Sequence, residues 1–309
     1  MIYDVIVIGS GPAGLTAAVY SGRALLKTLV IAGAVPGGQL MLTTEVENFP
    51  GFEEPVLGPD LIQRMTKQAE RFGAEFVQDD ATGVDFKTRP LKVKTASETY
   101  ESNAVIIATG ASAKWLGLDS ETRLRGKGVS SCATCDGFFF RGKDTVTIGG
   151  GDVAMEDTIF LTKFVNHATI VHRRKELRAS KILQERAFKN PKISFVWDTI
   201  VEEVLGDRKV EGVRIRNVKT GKQDVLKCHG VFIAIGHQPN TAMFQGQIEL
   251  DQKGYVVISQ GTATSVEGVF AGGDVRDFHY RQAVTAAGDG CRAAMDAEYY
   301  LEEKGLRAH

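Results

Sequence analysis

A strand-to-helix turn built from glycines restricts this chain more than any other feature, and it occurs twice. "YDVIVIGSGPAGLTAAVYSGRA" is a continuous apolar run, then G-S-G-P-A-G at residues 9–14, then Leu15, Ala18, Val19 and Gly22 on one helical face. "DTVTIGGGDVAMEDTIFLTKFV" repeats the arrangement, with G-G-G-D-V-A at 149–154 and Ala154, Leu161 and Val165 on one face. Each module has a later echo, a buried-strand run ending in a glycine turn: "AVIIATGAS" at 104–112 and "GVFIAIGHQPN" at 230–240. A third such turn, "GVFAGGDV" at 268–275, precedes a final helical segment, and the pattern assigns this tail to neither module. Strands alternating with helices predict an α/β chain with parallel sheets. The 309 residues suffice for two domains of about 100–200 residues each.

Both turns have the form of a dinucleotide site. In Gly9-Ser10-Gly11-Pro12-Ala13-Gly14 the first glycine makes the tight turn and the second admits a pyrophosphate. The third lets helix and strand pack closely, and the helix N-terminus favours the negative charge. An acid for the ribose is expected about 20 residues on, but the second strand, "TLVIAGA", ends in Ala32 and Gly33, so this site holds its adenosine ribose in another way. The second turn, with Gly149, Gly151 and Asp152, is followed at the corresponding distance by "ATIVHRRKELRAS". His172, Arg173 and Arg174 stand where an acid would, with Arg178 one turn further on. A carboxylate there would repel a 2′-phosphate and a guanidinium binds it, so the second site reads as one for NADPH. A basic run that is merely a solvated face is the competing reading.

Only four cysteines are present, and Cys132 and Cys135 form a C-x-x-C. As half of a zinc site the pair lacks partners, because Cys228 and Cys291 come in no second pair, and His229 points away from Cys228 if both lie on a strand. An inert buried pair is a second reading, and the one we give Cys228 and Cys291. A working disulfide is the third. Asp136, next in sequence, would pass a proton during thiol–disulfide exchange if burial raised its pKa, or would otherwise cap a helix. A flavin between nicotinamide and disulfide would complete an electron path, and the first nucleotide site permits FAD.

"GGQL", "TTEVENFPG", "CATCDGFF", "HRRKELRAS" and "YRQAVTAAG" resemble, in order and over nearly the whole chain, the low-molecular-weight thioredoxin reductases. The resemblance implies two Rossmann-like domains, an NADPH domain at 114–243 inserted into a discontinuous FAD domain at 1–113 and 244–309. It implies flavin contacts from the first glycine turn and from Gly33, Gly38, Gln39, Asn48, Asp274, Arg281, Gln282 and Ala283. Cys135 would take electrons from the flavin, Cys132 would attack the disulfide of thioredoxin, and Asp136 would donate the proton. A rotation of one domain against the other and a homodimer are also implied. Val153 departs from the pattern, standing where many relatives carry Ser or Thr. A lost hydroxyl contact there is worth about 0.5–1.5 kcal/mol. A related reductase with another protein acceptor or a non-nicotinamide donor, and a non-catalytic redox-sensing flavoprotein, are the alternative functions.

A net charge of −1, with 43% hydrophobic and 24% charged residues, predicts a packed core and supplies no basic footprint for nucleic acid or membrane. No apolar run reaches the roughly 18 residues of a membrane span. "MIYDVIVIGSG" runs straight into a strand without a basic leader, and the sparse cysteines do not form a secreted scaffold; the expectation is a cytoplasmic enzyme.

Overall fold

The computed structural model describes residues 1–43 and 45–307. Thr44, inside the "TTEVENFPG" stretch, and the last two residues of the expected FAD domain, Ala308 and His309, lie outside the described residues. The chain divides into two compact units, one of Met1–Ser112 with Gln238–His309, the other of Ala113–His237. The return to the first unit comes at Gln238, ahead of the expected 243/244 boundary. Asn240 explains why: its Nδ2 donates to the Thr109 carbonyl (2.8 Å), its N–H donates to the Gly110 carbonyl (3.0 Å), and its own carbonyl accepts from Thr109 Oγ1 (2.8 Å).

In the first unit the strand Ile2–Ile8 is buried at every residue after Ile2, as an apolar run without alternation should be when both faces are covered. It pairs in parallel with Thr28–Ile31 on one side and Thr99–Ile107 on the other. Val269–Ala271 of the third glycine turn adds in parallel to Thr99–Ile107, with Phe270 opposite Ile106, so the tail joins this sheet. Two antiparallel strands, Ala81–Asp85 and Leu91–Thr95, extend its far edge. The helix Pro12–Arg23 lies against the final helix, Ala283–Lys304, through small residues: Ala13, Ala17, Ala18, Ala286, Ala293, Ala294 and Ala297 share one buried cluster. The approach is close enough that a Cβ on Gly290 would overlap the carbonyl of Ala13 and stand 3.0 Å from its Cα.

The second unit has a five-stranded parallel sheet in the order Val129–Ser130, Gly230–Ala234, Asp144–Gly149, His167–Val171, Ile193–Val196. The helix Asp152–Leu161 covers one face, with Ala154 and Met155 packed on Ile170 and Ala234. The other face is covered chiefly by strands, with Leu124 of the short helix Asp119–Leu124 in the same cluster. A three-stranded antiparallel meander, Thr199–Leu205, Gly212–Asn217 and Gln223–Lys227, packs Val201, Val204, Val213 and Ile215 on Val146, Ile148 and Val171. Uniform alternation of strand and helix is corrected here. "TIVEEVL" buries Thr199, Val201 and Val204 while Glu202 and Glu203 pair outward with Arg216 and Arg214, the pattern of a sheet with one wet face. Among the described residues no helix is long and apolar enough to cross a membrane.

The close helix pair gives a direct check. Gly290→Ala must push the two helices apart and should lower the unfolding free energy by about 1–3 kcal/mol. Gly288→Ala on the same helix, with nothing within 4 Å of its Cβ position, should be neutral or stabilising. Equal denaturant midpoints for the two variants would contradict the packing described.

Candidate functional site

Cys132 and Cys135 form a disulfide with an S–S distance of 2.03 Å. The strand Val129–Ser130 delivers the pair to the C-terminal edge of the second unit's sheet, where ligand sites of open α/β sheets lie. Cys132 caps the short helix Ala133–Asp136, and its Sγ accepts the N–H of Cys135 at 3.2 Å. Ser130 fixes the turn from beneath: its Oγ accepts the N–H of Cys132 (3.0 Å) and donates to the Cys132 carbonyl (3.3 Å). Cys132 is half-buried and Cys135 exposed. Burial pushes the carboxyl of Asp136 above the usual carboxylate range, partly offset by the Ser130 hydroxyl. A carboxyl shifted in that direction keeps its proton nearer to neutral pH, the condition for an acid beside a reacting thiol. Cys228 is buried, its thiol pushed up to about 12 by desolvation, and is inert; Cys291 is half-buried on the final helix, less enclosed than a core cysteine.

In the first unit, Gly9 has φ +113°, and a Cβ there would overlap the Ala108 carbonyl. Gly14 is needed for a different reason, since a Cβ there would overlap the carbonyl of Gly9. Gly11 has open space around it, and Pro12 opens the helix behind it without needing a partner for its nitrogen. A cradle with an open glycine at a helix N-terminus fits a pyrophosphate such as that of FAD. Ser10 is buried, and its hydroxyl donates to the Ala32 carbonyl (2.7 Å) and accepts from Gly37 N–H (2.8 Å), so it ties the glycine turn to the next loop. Gly38 then packs beside Gly11, with Gln39 exposed next to it. Gly33 N–H donates to the Asp79 carbonyl (3.2 Å) and Ala34 N–H to Asp80 Oδ1 (2.8 Å).

The other expected flavin contacts reach the same unit from far along the chain. Asn48 Nδ2 donates to Gln282 Oε1 at 3.2 Å. Gln282 forms a reciprocal cap with Thr285, which starts the final helix at Ala283, and Arg281 before it has φ +49°, a left-handed conformation that costs of order 1–3 kcal/mol outside glycine. Asp274 is half-buried, and burial first, then the nearby Asp277 and Asp289 charges, push its carboxyl up to about 7, with Arg281 opposing. Sequence reasoning missed Asp289. Its carboxylate accepts twice from Arg276 (2.9 and 2.7 Å) and once from Gly273 N–H (3.1 Å), locking the "GGDV" turn onto the final helix. An acid inside an alanine-rich helix was the available signal.

In the second unit a Cβ on Gly149 would overlap the Ala234 carbonyl, and Gly151, like Gly11, faces open space. The carbonyl of Gly150 accepts from Arg178 N–H (2.7 Å) and Ala179 N–H (3.2 Å), and Asp152 accepts from Ser180 N–H (2.7 Å). These bonds bring the arginine segment to the glycine turn. Arg173, Arg174 and Arg178 are exposed, a donor set that fits the 2′-phosphate of NADPH. His172 does not join them: it is 6% exposed and faces inward. Val153 packs with the apolar cluster of Ala154 and Ile170.

The chain matches the pyridine nucleotide-disulphide oxidoreductase family over residues 3–290. It is 55% identical to the thioredoxin reductase of Rickettsia conorii, covering 97% of this chain and 98% of that one. It is 56% identical to the thioredoxin reductase of Streptomyces coelicolor, covering 97% and 94%. The crystal structure of thioredoxin reductase from Streptococcus pyogenes superposes with a TM-score of 0.94 at 43% identity, over 98% of this chain and 99% of that one.

Asp274 yields a pH-dependent prediction. An acid whose pKa is raised from 3.8 to about 7 on folding holds its proton better folded than unfolded. Its effect is absent below the lower value and reduces stability as pH rises through the interval. In the flavin-stripped protein, Asp274→Asn should therefore gain stability relative to wild type between about pH 4 and pH 8. Parallel stability–pH curves for the two proteins would refute the assignment.

Proposed function

Since the chain belongs to the pyridine nucleotide-disulphide oxidoreductases, and among them to the thioredoxin reductases, we infer that it is an FAD-dependent enzyme passing electrons from NADPH to the disulfide of thioredoxin. The observation that carries this reading is the Cys132–Cys135 disulfide beside a carboxyl of raised pKa. The first unit is assigned as the FAD domain, through Gly9, Ser10, Gly11, Pro12, Ala13, Gly14, Gly33, Gly38, Gln39, Asn48, Asp274, Arg281, Gln282 and Ala283. The second is assigned as the NADPH domain, through Gly149, Gly151, Asp152 and the arginines. When bound, NADPH supplies a hydride and FAD turns it into the electron pair that a disulfide accepts.

The chain's own residues do the rest. Two electrons and two protons convert the Cys132–Cys135 disulfide to a dithiol. The N–H of Cys135 points at Cys132 Sγ and favours its thiolate, so Cys132 attacks one sulfur of the thioredoxin disulfide. The other sulfur leaves as a thiolate and takes the proton held by Asp136. Cys135 gives its proton to the Asp136 carboxylate and attacks Cys132 Sγ in the mixed disulfide, restoring the enzyme disulfide; the second thioredoxin sulfur leaves as a thiolate and takes up from solvent the proton that Cys132 released on becoming a thiolate. The disulfide belongs to one unit and the flavin loops to the other. Each half-reaction needs the same two sulfurs, so we assign a rotation of the units between the half-reactions. A cytoplasmic homodimer is part of the same proposal and rests on the family alone.

Anaerobic mixing with NADPH and oxidised thioredoxin, followed at 340 nm, tests the reading. Wild type should consume NADPH catalytically and Cys135→Ser should not. Asp136→Asn should lose about 10²–10⁴-fold in turnover while NADPH still bleaches its flavin at the normal rate. Wild-type turnover should fall as pH rises through the raised pKa of Asp136, a limb that the Asn variant lacks. NADPH consumption that persists in Cys135→Ser would remove the disulfide from the path.

A further inference from the structure

The histidine at the head of "HRRKELR" reads as one more cation for a phosphate, and the structure gives it other work. The His172 ring fills the place of the side chain that Gly150 lacks: a Cβ on Gly150 would overlap it, with Nε2 at 2.8 Å. Nε2 lies 3.0 Å from the carbonyl of Glu176, and because a carbonyl only accepts, Nε2 carries the proton in this bond. The Trp197 ring meets the imidazole edge to face, with centroids 6.3 Å apart. Burial holds the imidazole pKa below its ordinary value, against the backbone contacts of Glu176 and Gly149 that raise it, and Arg178 and Arg174 add to the effect of burial, so the ring is a poorer cation for a phosphate than its place in the run suggests.

The three arginines lie in an irregular segment between the strand His167–Val171 and the helix Lys181–Lys189. Such a segment has no ladder to fix it, so the arginine positions depend on its tethers. At its far end Arg178 N–H, Ala179 N–H and Ser180 N–H are bound by Gly150 and Asp152. At its near end Asp198 N–H donates to the Arg174 carbonyl at 3.3 Å. Between them the Glu176 carbonyl is held by the imidazole, which simultaneously bears on the glycine turn.

We propose that His172 is a positioning residue: its buried imidazole, seated on Gly150 and bonded to Glu176, holds Arg173, Arg174 and Arg178 in the geometry that prefers a 2′-phosphorylated nucleotide. The proposal rests on the reading of those arginines as the 2′-phosphate site. It accounts for the absence of a side chain at residue 150, which the glycine fingerprint does not.

Binding of 2′,5′-ADP and of 5′-ADP to the flavin-loaded enzyme, measured by calorimetry, tests it. His172→Phe keeps a ring on Gly150 and removes the bond to Glu176. It should weaken 2′,5′-ADP about 3–10-fold, the range of one neutral hydrogen bond, and leave 5′-ADP unchanged, with KM for NADPH raised and kcat retained. His172→Gln, which can present an amide N–H to Glu176, should recover part of the preference, and it also serves if the Phe variant fails to fold. An unchanged ratio of the two affinities, or equal loss of both, overturns the proposal. Arg178→Met is the control for the underlying site: if it leaves 2′,5′-ADP binding intact, the arginine reading fails and not the role of His172 alone.

Discussion

How closely a helix can begin behind the strand that precedes it decides what this chain can bind. In the first unit the carbonyl of Gly9 occupies the space of a side chain at Gly14, and the carbonyl of Ala13 occupies the space of one at Gly290. Three backbone segments are thereby brought to contact distance, and Gly11 is left with open space beside it. In the second unit Gly149 plays the same part against Ala234. The first cradle has no side-chain charge of its own, and the second has only the carboxylate of Asp152, which accepts from Ser180 N–H. We therefore assign selectivity to loops that arrive from elsewhere: Asp274 and the 281–283 segment in one unit, the arginine segment in the other.

The redox turn is governed by a different balance. Its sulfurs must be reachable, and its acid must be sheltered enough to stay protonated. The structure divides these demands over five residues. Cys135 is exposed, Ala133 between the sulfurs is buried, and Asp136 turns back toward Ser130 beneath the turn. Ser130 serves both ends, since the hydroxyl that fixes Cys132 N–H also tempers the acid. A single buried hydroxyl thus links the geometry of the nucleophile to the proton affinity of its partner.

Much of this was legible in the sequence because it is local. The apolar run of Ile2–Ile8, both glycine turns, the C-x-x-C and the arginines at the end of the next strand all express backbone or charge requirements within about 20 residues of each other. What was not legible depends on contacts made across the chain. The meander over 199–227 carries its alternation openly, but the expectation of uniform βα repetition obscured it. Asp80 stabilises a turn 46 residues earlier, and Asp289 reaches a loop from inside a helix. Ser10 sits in the fingerprint as an unspecified residue, and only the structure shows its hydroxyl joining two loops. His172 was legible as a member of the basic run and misleading for that reason, because burial turns its ring inward and works against the charge on which the sequence argument relied.

Val153 shows how such a departure is absorbed. A hydroxyl at this first-turn position would offer phosphate a neutral hydrogen bond. The isopropyl group instead joins an apolar cluster that includes Leu177, Ala179 and Leu183, residues of the arginine segment and the helix after it. The same side chain that gives up a contact to phosphate therefore helps to seat the segment that carries the arginines proposed for the 2′-phosphate. Charge-assisted bonds are roughly twice as strong as neutral ones. On the proposed reading, a better-held arginine offsets a lost hydroxyl, provided that the segment is held as a unit. That unit is made of the Gly150 carbonyl, the Asp152 carboxylate, the His172 ring and this apolar cluster, and Val153 contributes to it from the helix side.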